Sequence, residues 1–430
     1  MPRGVQLVAG MSLWSSIPRP DRSRGGVALD TGLPAVVLWA SPFPLQHGCL
    51  GAYRTLGRAG VPVYSVVADL DAPAARSRYV AGRILWQPHH GDTYADLIGR
   101  LNDFGRGLGR RSLIVCTGDE MAVVVARHRD ELEEHFVLPA VAPELPAQLA
   151  DKKSLADLCR GHGFAAPRSV FVDSMADLEA VIGELTLPVA VKSTALRGMP
   201  QSVENTTIVT TREDLLDLAR TWREPFATLM QDYIPDEVSE DWFSHGYCDG
   251  TATARVVFTG RKVRCWPVRG GATAAAYTSV NPELARLSAA FCAQVGYRGI
   301  FDIDWRLDLR TGEYLLLDFN PRAGAQFRMF ENDAGIDVVR AMHLDLSGRS
   351  IPDGTPVDGE RFVVEPWDLM SLAADPDQPW TGGVGRPRLA WWANDDLKPV
   401  LITAVHQGRL SLRSRFGRGY EAVPPAAWER

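Results

Sequence analysis

Lysine is scarce in this chain: of 46 basic residues, five are Lys (Lys152, Lys153, Lys192, Lys262 and Lys398) and the rest are Arg. An ammonium kept at a few positions of an arginine-rich chain marks places that need a compact, flexible point charge, as phosphate oxygens do, rather than a planar fork. Cysteine is sparse too. Six scattered thiols in 430 residues, with no Cys-x-x-Cys, exclude a disulfide scaffold and predict reduced thiols in a cytoplasmic protein. The nine histidines include no His-x-x-x-His pattern, and His89-His90 sits in a polar stretch that reads as loop, so no transition-metal site is expected. No apolar run approaches the roughly 18 residues of a spanning helix, which argues against a membrane protein. Positive charge is not in excess: 52 acidic against 46 basic residues give −6, so neither nucleic acid nor an anionic membrane is an expected partner. Val5 to Trp14 is apolar, but Gly10 and Ser12 interrupt it and no clear small-residue cleavage site follows, so a cleaved signal is not expected.

What is present falls into segments. Residues 1–34, rich in Arg, Gly, Pro and Ser without a period, read as a loosely attached arm. From residue 35 strands and helices alternate: strand 35–40, helix 46–59, strand 61–68, strand 112–116, helix 120–135. That order means a parallel sheet over 35–147. The dinucleotide fingerprint is absent, because Ser41-Pro-Phe-Pro-Leu-Gln-His-Gly48 follows the first strand, and the Gly105-x-Gly107-x-Gly109 run reads as loop. Pro139, Pro143 and Pro146 lead into a second unit, 148–349, of α+β type. Its helix starts carry capping boxes, Ser174-x-x-Asp177 and Thr211-x-x-Asp214, and strands 187–192 and 206–210 are joined by a loop over 193–205. Residues 350–430 show no strong period and are expected as a C-terminal extension.

The segment Phe301-Asp-Ile-Asp-Trp-Arg-Leu-Asp-Leu-Arg-Thr-Gly-Glu-Tyr-Leu-Leu-Leu-Asp-Phe-Asn320 is two period-2 stretches around a Gly312 turn, a β-hairpin with unequal faces. Phe301, Ile303, Trp305, Leu307, Leu315, Leu317 and Phe319 are expected on the apolar face; Asp302, Asp304, Arg306, Asp318 and Asn320 on the polar one. With Asp308 paired to Tyr314, Asp304 falls opposite Asp318, at a cross-strand Cβ spacing of roughly 4.5 to 5.5 Å where like charges destabilise. A hard divalent cation with oxygen ligands resolves that conflict, and Mg²⁺ held by one or two carboxylates completes its shell with water and substrate phosphates. Asn320 adds a neutral oxygen. Lys192 at a strand end, Lys152 opening a helix and Lys262 on a turn before a strand supply cations from three separate elements toward one polyphosphate.

These residues resemble the ATP-grasp carboxylate-amine ligases, particularly the branch of D-aspartate ligases and related peptide-bond-forming enzymes. The resemblance spans roughly residues 35–349, through Ser77-Arg-Tyr79, Asp119-Glu120, Asp151-Lys152, Pro188-Val-Ala-Val-Lys192, Met230-Gln-Asp-Tyr-Ile-Pro235, Val268-Arg-Gly-Gly-Ala-Thr273, Gly299-Ile-Phe-Asp-Ile-Asp304 and Leu317-Asp-Phe-Asn-Pro-Arg322. It implies an ATP-grasp fold preceded by a Rossmann-like parallel-sheet domain. It implies ATP and Mg²⁺, with Mn²⁺ as a substitute, and a reaction that joins a small carboxylate, an amino acid, to an amine through an acyl-phosphate, releasing ADP and phosphate. On the resemblance, Lys152 and Lys192 meet the ATP phosphates, with Lys262 the third cation of the residue pattern, and Gln231, Asp232, Tyr233 and Ile234 line the adenine. Glu240 or Asp241 meets the ribose. Asp304, Asp318 and Asn320 match the Mg²⁺ ligands, Arg322 the arginine that steadies the acyl-phosphate, and Arg269 a contact to the γ-phosphate or a substrate carboxylate. A homodimer is also implied.

Two departures stand out. Asp318 occupies a position that the family usually fills with Glu, and the expected phosphate-covering stretch, Ser193 to Ser202, holds a single glycine, Gly198, beside Arg197. An ATP-grasp phosphotransferase acting on a small molecule, and a nucleotide-binding protein without turnover, are the alternative readings. Arg328 and the small residues 270–276 hint at a pocket for a compact carboxylate.

Overall fold

The computed structural model describes residues 27–39, 47–87, 94–193, 207–222, 228–268 and 271–405. Five parallel strands, β1 (Ala35–Leu38), β2 (Val63–Val67), β3 (Val80–Leu85), β4 (Ser112–Cys116) and β5 (Phe136–Val137), form the first sheet in the order β3-β2-β1-β4-β5. Ala-Val-Val-Leu of β1 is buried at every position, as a central parallel strand covered on both faces must be. Edge strand β3 alternates half-buried and exposed residues instead. Helix His47–Arg58 follows β1. The helix expected over 120–135 is two, Asp119–Arg127 and Arg129–Leu132.

Two expectations for this region are overturned. The 105–109 glycines are not a loop: Gly105 and Gly107 lie inside helix Ala95–Leu108, and Gly109 ends it in the left-handed conformation. A side chain at Gly105 would meet the His135 Cβ at 2.5 Å, so the glycine lets the helix pack closely. Nor are residues 27–34 loosely attached, because Leu29 and Leu33 are buried in the core of this domain. Residues 1–26 lie outside the described residues.

A four-stranded antiparallel sheet comes next: β6 (Ser169–Val172), β7 (Val189–Ser193), β8 (Thr207–Val209) and β9 (Thr228–Asp232), ordered β6-β9-β7-β8. Both capping boxes form, with Ser174 accepting from the Asp177 amide and Thr211 from the Asp214 amide, each at 3.1 Å. Leu178 and Leu215 of the capped helices close over Val189 and Val191 of β7.

The largest sheet has seven strands: β10 (Ser239–Cys248), β11 (Ala254–Trp266), β12 (Ala272–Thr278), β13 (Gly299–Asp308), β14 (Glu313–Asn320), β15 (Glu360–Val363) and β16 (Val384–Leu389), in the order β14-β13-β10-β11-β12-β15-β16. One face packs on helix Pro282–Val295, where Phe291 meets Trp305 and Phe319 in one cluster. On the other, Phe243 and Phe258 share a core with Leu50 and Tyr53 of the first domain.

The hairpin pairs Asp304 with Asp318 as expected, but by another route. Asp308 pairs with Glu313, and a β-bulge between Asp304 and Trp305 restores the register. Trp305 therefore faces Leu316, which is the buried leucine of β14, while Leu315 and Leu317 stay half-buried. Lys262 is not on a turn but within the 13-residue strand β11. Residues 350–405, expected as an extension, add β15 and β16 to the main sheet, and Arg54 of the first domain meets Asp396 at 2.9 Å with both side chains excluded from solvent. Among the described residues no helix is long and apolar enough to cross a membrane.

Candidate functional site

Asp304 and Asp318 face each other across the hairpin, and their side chains keep 30% and 33% of their exposure, so their oxygens remain open to a ligand. Burial pushes the Asp304 carboxyl up, with Asp302 and Asp318 adding to the effect against Lys262. For Asp318 burial works in the same sense but loses to Lys152, Lys192 and Arg322, and the carboxyl is held below its ordinary range.

Three lysines converge on this pair from different elements. Asp151 caps helix Lys152–His162 by accepting from the Ser154 amide at 2.8 Å, which sets Lys152 at the first helical position. From there its Nζ reaches Asp318 Oδ2 at 3.0 Å. Lys262 Nζ approaches Asp304 Oδ1 to 3.9 Å, and Asp304 and Asp241 raise its pKa although burial opposes them. Lys192 donates to Gln231 Oε1 at 2.8 Å. Burial, aided by the like charge of Lys152, pushes the Lys192 ammonium down to about 8. Among the described residues it forms no ion pair with a carboxylate, and a partly buried ammonium in that state is poised to accept an anion.

Arg322 follows the hairpin and binds two carboxylates, Asp302 through Nη1 at 2.6 Å and Asp119 through Nε at 3.2 Å. Asp302 is 3% exposed, and its other oxygen lies 3.2 Å from Nε2 of the fully buried His245. Backbone crowds this group: a Cβ on Gly324 would sit 2.1 Å from His245 Cε1 and 2.5 Å from Asp302 Oδ2. Asp119, Asp302 and His245 were not among the expected site residues. Asp119 lies in the Asp-Glu pair at the start of its helix, a signal present in the sequence without a role; His245 left no signal, since a single His in an apolar strand is ordinary.

The segment after β9 is organised by Arg306, whose guanidinium donates to the Ile234 carbonyl, to Asp236 at 2.6 Å and to Asp241 at 2.6 Å, and lies 5.0 Å from the Tyr233 ring centre. The Tyr233 amide donates to Pro188 and the Asp232 amide to Arg168 within the protein. Gln231 joins the site through Lys192. Glu240 is not brought to the carboxylates: it lies on the Trp242 side of β10, held by Arg261 at 2.7 Å, while Asp241 is on the Asp304 side. Arg269 and the stretch 194–202, with Arg197 and Gly198, lie outside the described residues.

Among the described residues no group of three His, Cys, Asp or Glu forms a metal cluster. The donor set of Asp304, Asp318 and Asn320 is hard oxygen with two carboxylates at most, which suits Mg²⁺ completed by water and phosphate rather than an all-protein cage. Asn320 donates its amide Nδ2 to the Asp302 carbonyl at 3.2 Å, which leaves its Oδ1 free to ligate. The residues fit the ion.

No family model matches the chain. In sequence it is similar to the D-aspartate ligase of Enterococcus faecium (strain Aus0004), with 24% identity over 231 residues, 50% of this chain and 54% of that protein. The chain thus spans about half the length of that curated relative. In structure it is similar to N5-carboxyaminoimidazole synthetase from Staphylococcus aureus complexed with ADP (TM-score 0.58, 14% identity, 81% of this chain and 87% of the other). It is also similar to the L-amino acid ligase from Bacillus licheniformis (0.55, 13%, 76% and 75%). A third likeness is to the biotin carboxylase domain dimer of Hydrogenobacter thermophilus 2-oxoglutarate carboxylase in complex with MgADP (0.57, 13%, 76% and 73%). The parallel first sheet, the four-stranded cap and the large sheet bearing Asp304 and Asp318 make this an ATP-grasp fold, and the sequence resembles the carboxylate-amine ligases that share it.

Proposed function

We propose that the protein is an ATP-dependent ligase that joins a small carboxylate, an amino acid, to an amine, releasing ADP and phosphate. The observation that carries this reading is the facing pair Asp304 and Asp318 with Lys152, Lys192 and Lys262 directed at it from three other elements. Asp304, Asp318 and Asn320 would hold Mg²⁺, with Mn²⁺ as a substitute at the same oxygens. When bound it neutralises phosphate charge. The lysines bind the polyphosphate, and Lys192 supplies a cation that has no carboxylate within ion-pair distance among the described residues.

The substrate carboxylate attacks the γ-phosphorus of ATP and ADP leaves; the amine then attacks the acyl carbon of the acyl-phosphate, the tetrahedral adduct expels inorganic phosphate as its C–O bond breaks, and the nitrogen gives up a proton. Phosphoryl transfer of this kind depends on positioning and charge stabilisation more than on covalent help from the protein. Arg322, fixed by Asp302 and Asp119, presents a rigid guanidinium to the acyl-phosphate and to the tetrahedral adduct that follows. Tyr233 and Ile234, pinned by Arg306, with Gln231 and Asp232, border the base. Arg269 is proposed for the γ-phosphate or a substrate carboxylate. The units are 27–147 before the ATP-grasp part and 148–405, whose last two strands complete the large sheet. The protein acts as a cytoplasmic homodimer; its six cysteines are free thiols, which fits a reducing compartment.

A phosphate-release screen of amino acids paired with small amines in the presence of Mg·ATP, followed by mass spectrometry, tests the reading. An amide product supports it; a phosphorylated acid that no amine consumes points to a phosphotransferase, and nucleotide binding without turnover for any pair to a non-catalytic role.

A further inference from the structure

A second polar cleft, of about 730 Å³, opens where the last turn of helix His47–Arg58 meets residues 328–340 and 386–395. Helix His47–Arg58 starts beyond the C-terminal end of β1 and runs back along the sheet. Its last turn, Thr55 to Arg58, therefore lies about 12 to 17 Å from its start, toward the edge opposite Asp119, which follows the C-terminal end of β4. The cleft and the Asp304–Asp318 site are separate places.

Five arginines line the cleft against three carboxylates. Three of the five are satisfied within the protein. Arg58 pairs with Asp395 at 2.8 Å, and Arg388 with Glu331 at 2.5 Å and Glu360 at 2.8 Å. Arg340 donates to Thr55 and Gly335, beside Asp337. Arg328 and Arg386 are left. Arg328 donates to the Ala390 carbonyl at 2.8 Å, and neither has a carboxylate partner among the described residues.

The Arg328 side chain is not placed there by default. Its stem crosses the helix at Gly51, where a Cβ would come within 2.4 Å of the Arg328 Cδ, so the helix carries a glycine where the arginine passes. Burial, with the like charges of Arg54 and Arg58, pushes the Arg328 guanidinium down to about 9 against the pull of Glu365. An arginine held among arginines gains most from a bound anion.

We propose that this cleft binds a small anionic metabolite, through a carboxylate or phosphate group held between Arg328 and Arg386. The volume admits a molecule of ordinary metabolite size. The inference does not depend on the proposed ligase reaction.

Calorimetric titration of the full chain with inorganic phosphate and, separately, with succinate tests it in wild type, Arg386→Ser and Asp318→Ala. Arg386 is exposed on an edge strand, so its loss leaves the fold intact. The expected result is at least one anion that binds wild type and Asp318→Ala alike and binds Arg386→Ser about tenfold or more weakly, the loss of one charged hydrogen-bonding group. Phosphate alone behaving so identifies a phosphorylated ligand, succinate alone a carboxylate. Any other pattern overturns the proposal: no binding of either anion at millimolar concentration, equal binding by wild type and Arg386→Ser, or binding that is lost in Asp318→Ala.

Discussion

Lys152 Nζ stands 3.0 Å from Asp318 Oδ2, tying the first residue of a helix to the outer strand of the hairpin. The pair keeps 25% and 33% of its side-chain exposure, so in the free protein it contributes about 1 kcal/mol or less to stability. Its value is in ligand binding. Asp318→Ala is expected to lower Mg²⁺-dependent ATP turnover by about a hundredfold or more while circular dichroism and thermal midpoint stay near wild type. Turnover that survives the change would remove Asp318 from the site.

Arg322 is a different case, because its partner Asp302 is buried. Arg322→Met strands a carboxylate beside His245 and is expected to cost about 3 to 5 kcal/mol, read as a shifted denaturant midpoint. Adding Asp302→Asn removes the stranded charge and should restore most of that stability without restoring turnover. A double variant no more stable than the single one would show that the ion pair is not the source of the loss.

Lys192 predicts a pH dependence. Its folded pKa of about 8 lies below the ordinary lysine value. Below pH 8 the group is charged whether or not nucleotide is bound, so no proton is exchanged. Between pH 8 and the ordinary lysine range it is neutral in the free protein and charged beside a polyphosphate, so binding takes up a proton and affinity falls as pH rises. Titration of ADP at pH 9 in two buffers of different ionisation enthalpy should show that uptake, and Lys192→Met should abolish it.

Asp396→Ala is expected to destabilise the protein by about 3 to 5 kcal/mol, since Arg54 then loses the Nε contact at 2.9 Å and keeps only the carbonyls of Ala390, Trp391 and Asp396. A midpoint unchanged in urea would contradict the buried ion pair.

Much of the site was legible because its chemistry is carried by local patterns. Period-2 alternation around Gly312 set the hairpin and placed Asp304 against Asp318, and the scarcity of lysine singled out Lys152, Lys192 and Lys262. The bulge that moves Leu316 inward was not legible: pairing Leu317 or Leu316 with Trp305 differs only in tertiary packing, and burial of one leucine decides it. Asp119, Asp302 and His245 matter because Arg322 and Gly324 bring three segments together, which no window of sequence contains. The C-terminal strands carry no local signal for the same reason. Val-Gly-Arg-Pro-Arg-Leu of β16 holds a glycine and a proline, tolerable at a sheet edge but a poor strand signal alone.

The junction between Arg54 and Asp396 also bears on how the protein is made. Its two halves are 342 residues apart in sequence, so at about 5 to 20 residues per second the ribosome needs tens of seconds to deliver the second after the first. Throughout that interval the nascent first domain carries an arginine destined for the interior and no counter-ion to take inside with it, so its maturation must wait for translation to pass Asp396.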